Sequence, residues 1–165
     1  MNNDKPTVYL AGPIKNATNG GVGWREQIKQ EYEDKFDFND PTEDIIVPNE
    51  DIDLVDGKTN DEDEVSLQHV VLNDKGLLMT SDAVFVGYSD VQSVGTPMEV
   101  HKAYQLGLPV VMWNREPTGS WLQRQYKRLK MKLIGTDEIS LWYKHHTNII
   151  TKNKNDAIQK LNSLL

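Results

Sequence analysis

The chain has 165 residues, 38% of them hydrophobic and 26% charged, which is the composition of an ordinary globular protein. Its formal net charge of −7 excludes a general nucleic-acid-binding surface, which needs a basic face, and the lack of cysteine excludes disulfides, a thiol nucleophile and zinc–cysteine sites. The first residues lack the basic start and apolar run of a signal peptide, and no apolar run approaches the ~20 residues that cross a bilayer, so we expect a cytoplasmic protein with no membrane partner.

Short apolar runs alternate with segments of helical periodicity. In chain order the pattern predicts a strand at 7–11, a helix at 24–36, a strand at 45–47, a helix at 65–80, a strand at 83–86, a helix at 96–106, a strand at 109–113, a basic helix at 119–130, an edge strand at 148–151 and a final helix at 155–165. The segment 141–150 has no clear pattern apart from that edge strand. The alternation predicts one α/β domain over 1–165, with a doubly wound (Rossmann- or flavodoxin-like), mainly parallel five-stranded sheet and helices on both faces.

The stretch 51–64 contains seven acidic residues and one lysine, and we interpret it as a solvated loop. A calcium-binding loop is the alternative, because the carboxylates at positions 51, 53 and 62 have the ligand spacing of one. However, Val55 occupies a further ligand position, and Asp56 stands where such loops need glycine. We therefore reject the calcium site.

Other common motifs are absent as well. No GxGxxG follows the first strand and no P-loop or GxSxG motif is present, so dinucleotide, P-loop and serine-nucleophile sites lack support. The four histidines have no metal-ligand spacing, and we expect surface or packing roles for His69, His101, His145 and His146. The last two are expected on opposite sides of an extended segment.

The chain is organised around 81–104, which reads as a buried strand, a polar loop and a helix that begins at Thr96. Open α/β sheets bind ligands where a strand feeds a loop and a helix N-terminus. With Thr96 as N-cap and Pro97 as the first helical residue, Glu99 completes a capping box, which the local pattern alone favours. Alternatively, the helix dipole keeps the Glu99 carboxylate ionised for use as a nucleophile or to stabilise a cation. On its pattern alone, Asp74 is a surface residue of the preceding helix.

Several segments resemble the nucleoside 2-deoxyribosyltransferase family: YLAGPI at 9–14, the pair Trp24–Arg25, DPT at 40–42, the stretch 81–111 with its G-T-x-x-E helix start, and the C-terminal strand and helix. The resemblance covers nearly the whole chain. It implies an enzyme that cleaves the N-glycosidic bond of 2′-deoxynucleosides and transfers the deoxyribose to another base, with no metal or cofactor. The implied partners are these small molecules and further copies of the chain.

The resemblance also implies roles for individual residues. Glu99 corresponds to the nucleophile that holds deoxyribose as an ester, Tyr9 to the tyrosine that orients this glutamate, and Asp74 to the aspartate that handles the proton of the leaving base. An adjacent carboxylate suits this reaction, because the sugar develops positive charge as the bond breaks. Further substrate-binding positions are expected at Gly12, Pro13, Trp24, Asp40, Asp90, Ser93, Gly95, Thr96 and Met98.

Ser93 raises an alternative for the substrate. Transferases of this family often carry an aspartate that binds sugar hydroxyls six residues before the nucleophile, and here that position is Ser93. A serine there is similar to the branch that hydrolyses 2′-deoxynucleoside 5′-monophosphates, since aspartate would repel a phosphate at a helix N-terminus. Asp90 is an alternative sugar-binding residue, and no residue for reading the base stands out. A non-catalytic nucleotide-binding module is the third hypothesis.

The predicted basic helix at 119–130 carries Trp121 and Tyr126. We interpret its 121–130 portion as part of the contact between copies of the chain. A plain solvated helix is the alternative.

Overall fold

The computed structural model of the chain describes residues 5–14, 17–43, 67–89, 93–115, 120–133 and 139–165. Within these ranges the strands and α-helices follow one another in the order β1 (Thr7–Ala11), α1 (Val22–Tyr32), β2 (Asp37–Asn39), α2 (Leu67–Met79), β3 (Ala83–Tyr88), α3 (Gly95–Leu106), β4 (Val110–Asn114), α4 (Trp121–Leu133), α5 (Leu141–His146), β5 (Ile149–Thr151) and α6 (Lys154–Asn162). None of the described helices is long and apolar enough to span a bilayer.

The described strands form one sheet in the order β2-β1-β3-β4-β5, and each neighbouring pair is parallel. Tyr9 of β1 lies beside Val84 of β3. From β1 the chain first adds a strand on one side and then builds the rest of the sheet on the other. Sheets of this order bind ligands in the crevice beyond the carboxyl ends of β1 and β3, where the direction of winding changes. The predicted doubly wound α/β fold is confirmed.

Apolar side chains cover both faces of the sheet, because alternate strand residues point to opposite sides. The first layer contains Leu10 and Phe85 and is closed by α1 and α6. The second layer contains Tyr9 and Val86 and is closed by α2 and α3. All four of these strand side chains are fully buried, which explains why β1 and β3 read as continuous apolar runs.

The second strand differs from the prediction. The strand expected at 45–47 lies outside the described residues. On the side of β1 away from β3, the described partner strand is Asp37–Asn39. This strand is three residues long and lies at the sheet edge, so it needs no apolar run of its own. The helix predicted at 24–36 is also shorter, because α1 ends at Tyr32 and Phe36 is buried beyond it.

The segment 141–150 contains a helix that the pattern did not predict. The Ser140 hydroxyl caps α5 by accepting a hydrogen bond from the Tyr143 N–H. The expectation that His145 and His146 lie in an extended segment is therefore wrong. His146 is buried, and its Nε2 lies 3.1 Å from Nδ1 of His101, which agrees with the packing role expected for it.

The Trp24 ring of α1 packs directly against two glycines at the carboxyl ends of β1 and β3. A Cβ added to Gly12 would lie 2.8 Å from Trp24 Cζ2, and one added to Gly87 would lie 2.8 Å from three atoms of the same ring. Real Cβ atoms are not found so close to a neighbour, so the contact requires glycine at both positions.

Gly87→Ala tests this contact. We expect the substitution to lower the free energy of unfolding by about 1–3 kcal/mol in urea denaturation, because the buried indole must move. Gly76→Ala in α2 is the matched control. Its added Cβ meets no atom within 4 Å, so its stability should be unchanged or rise by up to about 1 kcal/mol. Equal stability of Gly87→Ala and the unsubstituted chain would contradict the close packing.

Candidate active site

Glu99 and Tyr9 meet where α3 crosses the second layer. The Tyr9 hydroxyl donates a hydrogen bond to Glu99 Oε1 at 3.0 Å. Tyr9 is fully buried in β1, so its hydroxyl is held by the sheet. The other carboxylate oxygen, Glu99 Oε2, is shielded from solvent and has no hydrogen-bond partner among the described residues.

The predicted capping box is wrong. Helix α3 begins at Gly95, and the Ser93 hydroxyl accepts a hydrogen bond from the Thr96 N–H at 3.2 Å. The Thr96 hydroxyl also lies 3.0 Å from Ser93 Oγ. Val94 is at the N-cap position and its side chain makes no hydrogen bond, so Ser93, one residue earlier, satisfies an N–H of the first turn in its place. Glu99 lies beyond the first turn. The Glu99 side chain is therefore free to bind Tyr9.

Asp74 lies on α2 and faces the same space. Its side chain is half-buried, and Oδ1 has no hydrogen-bond partner among the described residues. Its charge raises the pKa of both Tyr9 and Glu99, so the three groups interact electrostatically. The surface interpretation of Asp74 therefore does not hold.

Burial sets the protonation of the two carboxyls. It raises the pKa of Glu99 to about 7, and the Asp74 charge adds to this, while the Tyr9 hydrogen bond and the Arg25 charge oppose it. Burial also raises the pKa of Asp74, again opposed by Arg25. The expectation that a helix dipole holds Glu99 ionised is corrected, since Glu99 is outside the first turn and desolvation dominates.

Arg25 is a component for which the sequence suggested no role. It is fully buried and donates hydrogen bonds to three carbonyls. Its Nε lies 3.1 Å from Leu10 O, Nη1 2.9 Å from Gly21 O and Nη2 2.8 Å from Gly12 O. Arg25 thus fixes the carboxyl end of β1 and places a positive charge near Glu99.

Two predicted substrate-binding residues have other surroundings. Trp24 packs in the first layer, on the opposite face of the sheet from Tyr9. The Asp40 side chain is fully buried and accepts hydrogen bonds from Lys29 Nζ at 2.8 Å and from the Thr42 N–H and hydroxyl at 2.9 and 2.7 Å. A substrate contact for either residue stays a prediction, which these packing roles do not favour.

The other predicted positions lie mostly at the same edge of the sheet. Gly12 and Pro13 follow β1 at its carboxyl end, and Gly95 begins α3. Met98 is on α3 and 65% exposed. Asp90 lies outside the described residues. Among the described residues, no group of three or more His, Asp or Glu side chains could hold a metal ion.

No protein-family model and no curated protein matches the chain, but solved structures do. A conserved protein from Enterococcus faecalis V583 has a TM-score of 0.64 and 18% identity, over 98% of this chain and 99% of its own. A 2-deoxyribosyltransferase from the psychrotolerant bacterium Bacillus psychrosaccharolyticus has a TM-score of 0.59 and 20% identity, over 91% of this chain and 88% of its own. The chain has the fold of this transferase. The likeness supports the resemblance identified in the sequence.

Glu99→Gln should change stability in a pH-dependent way. A carboxyl whose pKa is raised on folding contributes stability that is complete below its unfolded value of 4.5 and is lost as the pH rises through about 7. Relative to the unsubstituted chain, Glu99→Gln should therefore gain on the order of 2 kcal/mol between pH 5 and pH 8. Urea denaturation at the two pH values measures this.

The control for that measurement is Glu26→Gln on the exposed face of α1, which should change stability by less than about 0.5 kcal/mol at both pH values. The same Glu99→Gln effect at pH 5 and pH 8 would show that burial does not shift the Glu99 carboxyl.

Proposed function

We propose that the chain cleaves the N-glycosidic bond of 2′-deoxynucleosides and transfers the deoxyribose to an acceptor base through an ester on Glu99. The observation that carries this proposal is the carboxyl pair of Glu99 and half-buried Asp74. Among the described residues, Glu99 Oε2 and Asp74 Oδ1 both lack hydrogen-bond partners, while Tyr9 fixes the remaining oxygen of Glu99. Buried polar atoms are rarely left without partners, and perturbed carboxyls in a crevice indicate a reacting site. The structural likeness to a 2-deoxyribosyltransferase supports the same reaction.

In the first step, ionised Glu99 attacks C1′ of the deoxyribose through Oε2. A C–O bond forms as the bond from C1′ to the base nitrogen breaks, and its electron pair leaves with the base. The positive charge that develops on the sugar is stabilised by a carboxylate shielded from water. Asp74 supplies the proton that the leaving base takes up, since burial favours its protonated form.

In the second step, a nitrogen of the acceptor base attacks C1′ of the ester. The C–O bond breaks, Glu99 leaves as a carboxylate, and Asp74 takes the proton that the acceptor base loses. The Tyr9 hydroxyl stabilises the departing carboxylate, because its hydrogen bond lowers the pKa of Glu99. Both steps therefore use the same three side chains.

Ser93 favours the hydrolytic alternative, in which water replaces the acceptor base and the substrate is a 2′-deoxynucleoside 5′-monophosphate. Its hydroxyl lies at the start of α3, where helix N–H groups attract anions. Although Ser93 Oγ accepts from Thr96, its own proton is still available for a phosphate oxygen.

We also propose that the chain self-associates through α4. This helix exposes large apolar side chains, and a surface patch of this kind marks an interaction site. The exposed residues are Trp121, Leu122, Tyr126 and Leu129, each at least 60% accessible. The expected homo-oligomer stays a prediction that this patch supports.

Chromatography distinguishes the candidate functions. Thymidine and 2′-deoxyinosine, and their 5′-monophosphates, are incubated with the protein, with and without free adenine. A new nucleoside that appears only with adenine supports transfer, whereas deoxyribose 5-phosphate released without adenine supports hydrolysis. Binding without any product would overturn both reactions and support the non-catalytic module.

Glu99→Gln should lower turnover by on the order of a thousandfold or more, because no other described group replaces the nucleophile.

The pH dependence of kcat/KM tests the role of Tyr9. The rate should rise with pH as Glu99 loses its proton, with a midpoint near 7. Tyr9→Phe removes the hydrogen bond that lowers the Glu99 pKa, so the rising limb should move to higher pH and the maximum rate should fall about tenfold. Tyr32→Phe is the control, because the Tyr32 hydroxyl bonds Asn155 on the other face of the sheet, and it should leave the rising limb of the pH profile in place. If the rising limb of the kcat/KM profile stayed at the same pH in Tyr9→Phe, the proposed role of the Tyr9–Glu99 hydrogen bond would be contradicted.

A further inference from the structure

Asn39 binds the C-terminal end of α2 to the sheet. Its side-chain nitrogen, Nδ2, lies 2.8 Å from Leu77 O, 2.9 Å from Ser81 Oγ and 3.2 Å from Thr80 Oγ1. The carbonyl oxygen of Leu77 can only accept, so the atom that faces it is the donor nitrogen of the amide. The Ser81 hydroxyl also donates to Leu77 O, at 2.8 Å. One side chain of β2 thus joins the last turn of α2 to the first residues after it.

Asn39 and Tyr9 lie side by side in the sheet. They are register partners on the parallel strands β2 and β1, so their side chains point to the same face. Both side chains reach helices that close the second layer, since Tyr9 bonds Glu99 of α3 and Asn39 bonds Leu77 of α2. Helix α2 also carries Asp74. Adjacent positions of the sheet therefore hold the two helices that carry the proposed catalytic carboxyls.

Asp74 depends on the helix for its position. Tyr9 fixes Glu99 directly, but Asp74 Oδ1 has no hydrogen-bond partner among the described residues. Asp74 lies three residues before Leu77, so the two residues are on one face of α2, about one turn apart. Because hydrogen bonds join successive turns of a helix, a movement at Leu77 also moves Asp74. The Asn39 contacts therefore set where this carboxyl lies.

We propose that Asn39 is a positioning residue for proton transfer, which holds α2 so that Asp74 reaches the leaving base while Glu99 holds the sugar. This rests on the proposed function above. In that reaction the bond from C1′ to the base nitrogen breaks, its electron pair leaves with the base, and Asp74 supplies the proton. A general acid must lie within hydrogen-bond reach of the atom that it protonates. A small shift of α2 therefore slows departure of the base more than attack by Glu99.

Donors whose base leaves without a proton test this role. The bases of 2′-deoxyguanosine and 2′-deoxyuridine must be protonated as they leave. Those of 7-methyl-2′-deoxyguanosine and 5-nitro-2′-deoxyuridine need no proton, because the methylated guanine leaves as a neutral molecule and the nitrated uracil as a stabilised anion. For Asn39→Ala we expect kcat/KM to fall by roughly ten- to hundredfold on the first two donors and to be unchanged on the other two. Asp74→Asn should show the same pattern.

Asn153→Ala is the matched control. The Asn153 side chain caps α6 by accepting a hydrogen bond from the Asp156 N–H at 3.0 Å, and α6 closes the other face of the sheet. This variant also loses a hydrogen bond of an asparagine side chain, so its stability should fall comparably while its rates on all four donors stay unchanged.

Ser81→Ala provides a second test of the same contacts. It should show the Asn39→Ala pattern more weakly, because Asn39 still bonds Leu77 O. Equal losses of kcat/KM on all four donors in either variant, or no loss on any donor in Asn39→Ala, would overturn the proposal.

Amide hydrogen exchange tests the Asn39 contacts without the reaction. The N–H groups of Thr80 and Ser81 donate to carbonyls in the last turn of α2, at 3.1 and 3.3 Å. Their exchange should be about tenfold faster in Asn39→Ala and unchanged in Asn153→Ala. If the unsubstituted chain cleaves no donor, the proposed function fails, but exchange still decides whether Asn39 holds α2. Faster exchange in Asn39→Ala supports that part of the proposal, and equal exchange overturns it.

Discussion

One buried guanidinium holds the edge of the sheet on which the candidate site is built. Arg25 donates three hydrogen bonds to backbone carbonyls of β1, of the loop after it and of the turn before α1, so the path of the chain from strand to helix is fixed at one point. A buried guanidinium without a counter-charge would destabilise the fold by several kcal/mol, and Asp40, 3.5 Å from Nε, balances it. Because Tyr9 directly precedes the residue whose carbonyl binds Nε, this clamp also fixes the hydroxyl that holds Glu99.

The same guanidinium limits how far burial raises the pKa of the Glu99 and Asp74 carboxyls. Burial raises the pKa of Glu99 and of Asp74, and the Arg25 charge lowers both. The balance of these effects leaves the pKa of Glu99 at about 7, so its neutral and ionised forms are both populated at neutral pH. This suits a group that attacks as a carboxylate, is neutral as an ester and leaves as a carboxylate again. A fully solvated Glu99 would be ionised throughout, but it would stabilise the cationic sugar less strongly.

Elements with a clear apolar run, such as β1 and β3, could be predicted from the sequence. The short elements β2 and α5, which depend on tertiary contacts, could not. β1 and β3 are central and buried on both faces, so the apolar runs in the sequence closely match the bounds of these strands. β2 and α5 have three and six residues, too few for a period to show, and they exist because the sheet edge and the Ser140 cap stabilise them. In the site, the Thr96–Glu99 spacing fits a capping box, yet Ser93 caps the helix instead. Arg25 could have been found, since its spacing of three from Ile28 puts it on the buried face of α1.

The capping role of Ser93 changes how its identity bears on the substrate. An aspartate oxygen can accept the hydrogen bond of the Thr96 N–H as the serine hydroxyl does, so either residue would let α3 start at the same place and leave Glu99 in the same position. Serine therefore alters the charge of the crevice rather than its geometry. An aspartate would offset the partial positive charge of the helix N-terminus, whereas the neutral hydroxyl of Ser93 leaves that charge available to an anion. The reacting end of the site, held by Tyr9 and Glu99, does not depend on this choice. In the proposed reaction, bond cleavage and recognition of the far end of the sugar are thus separate properties, and the second can change without disturbing the first.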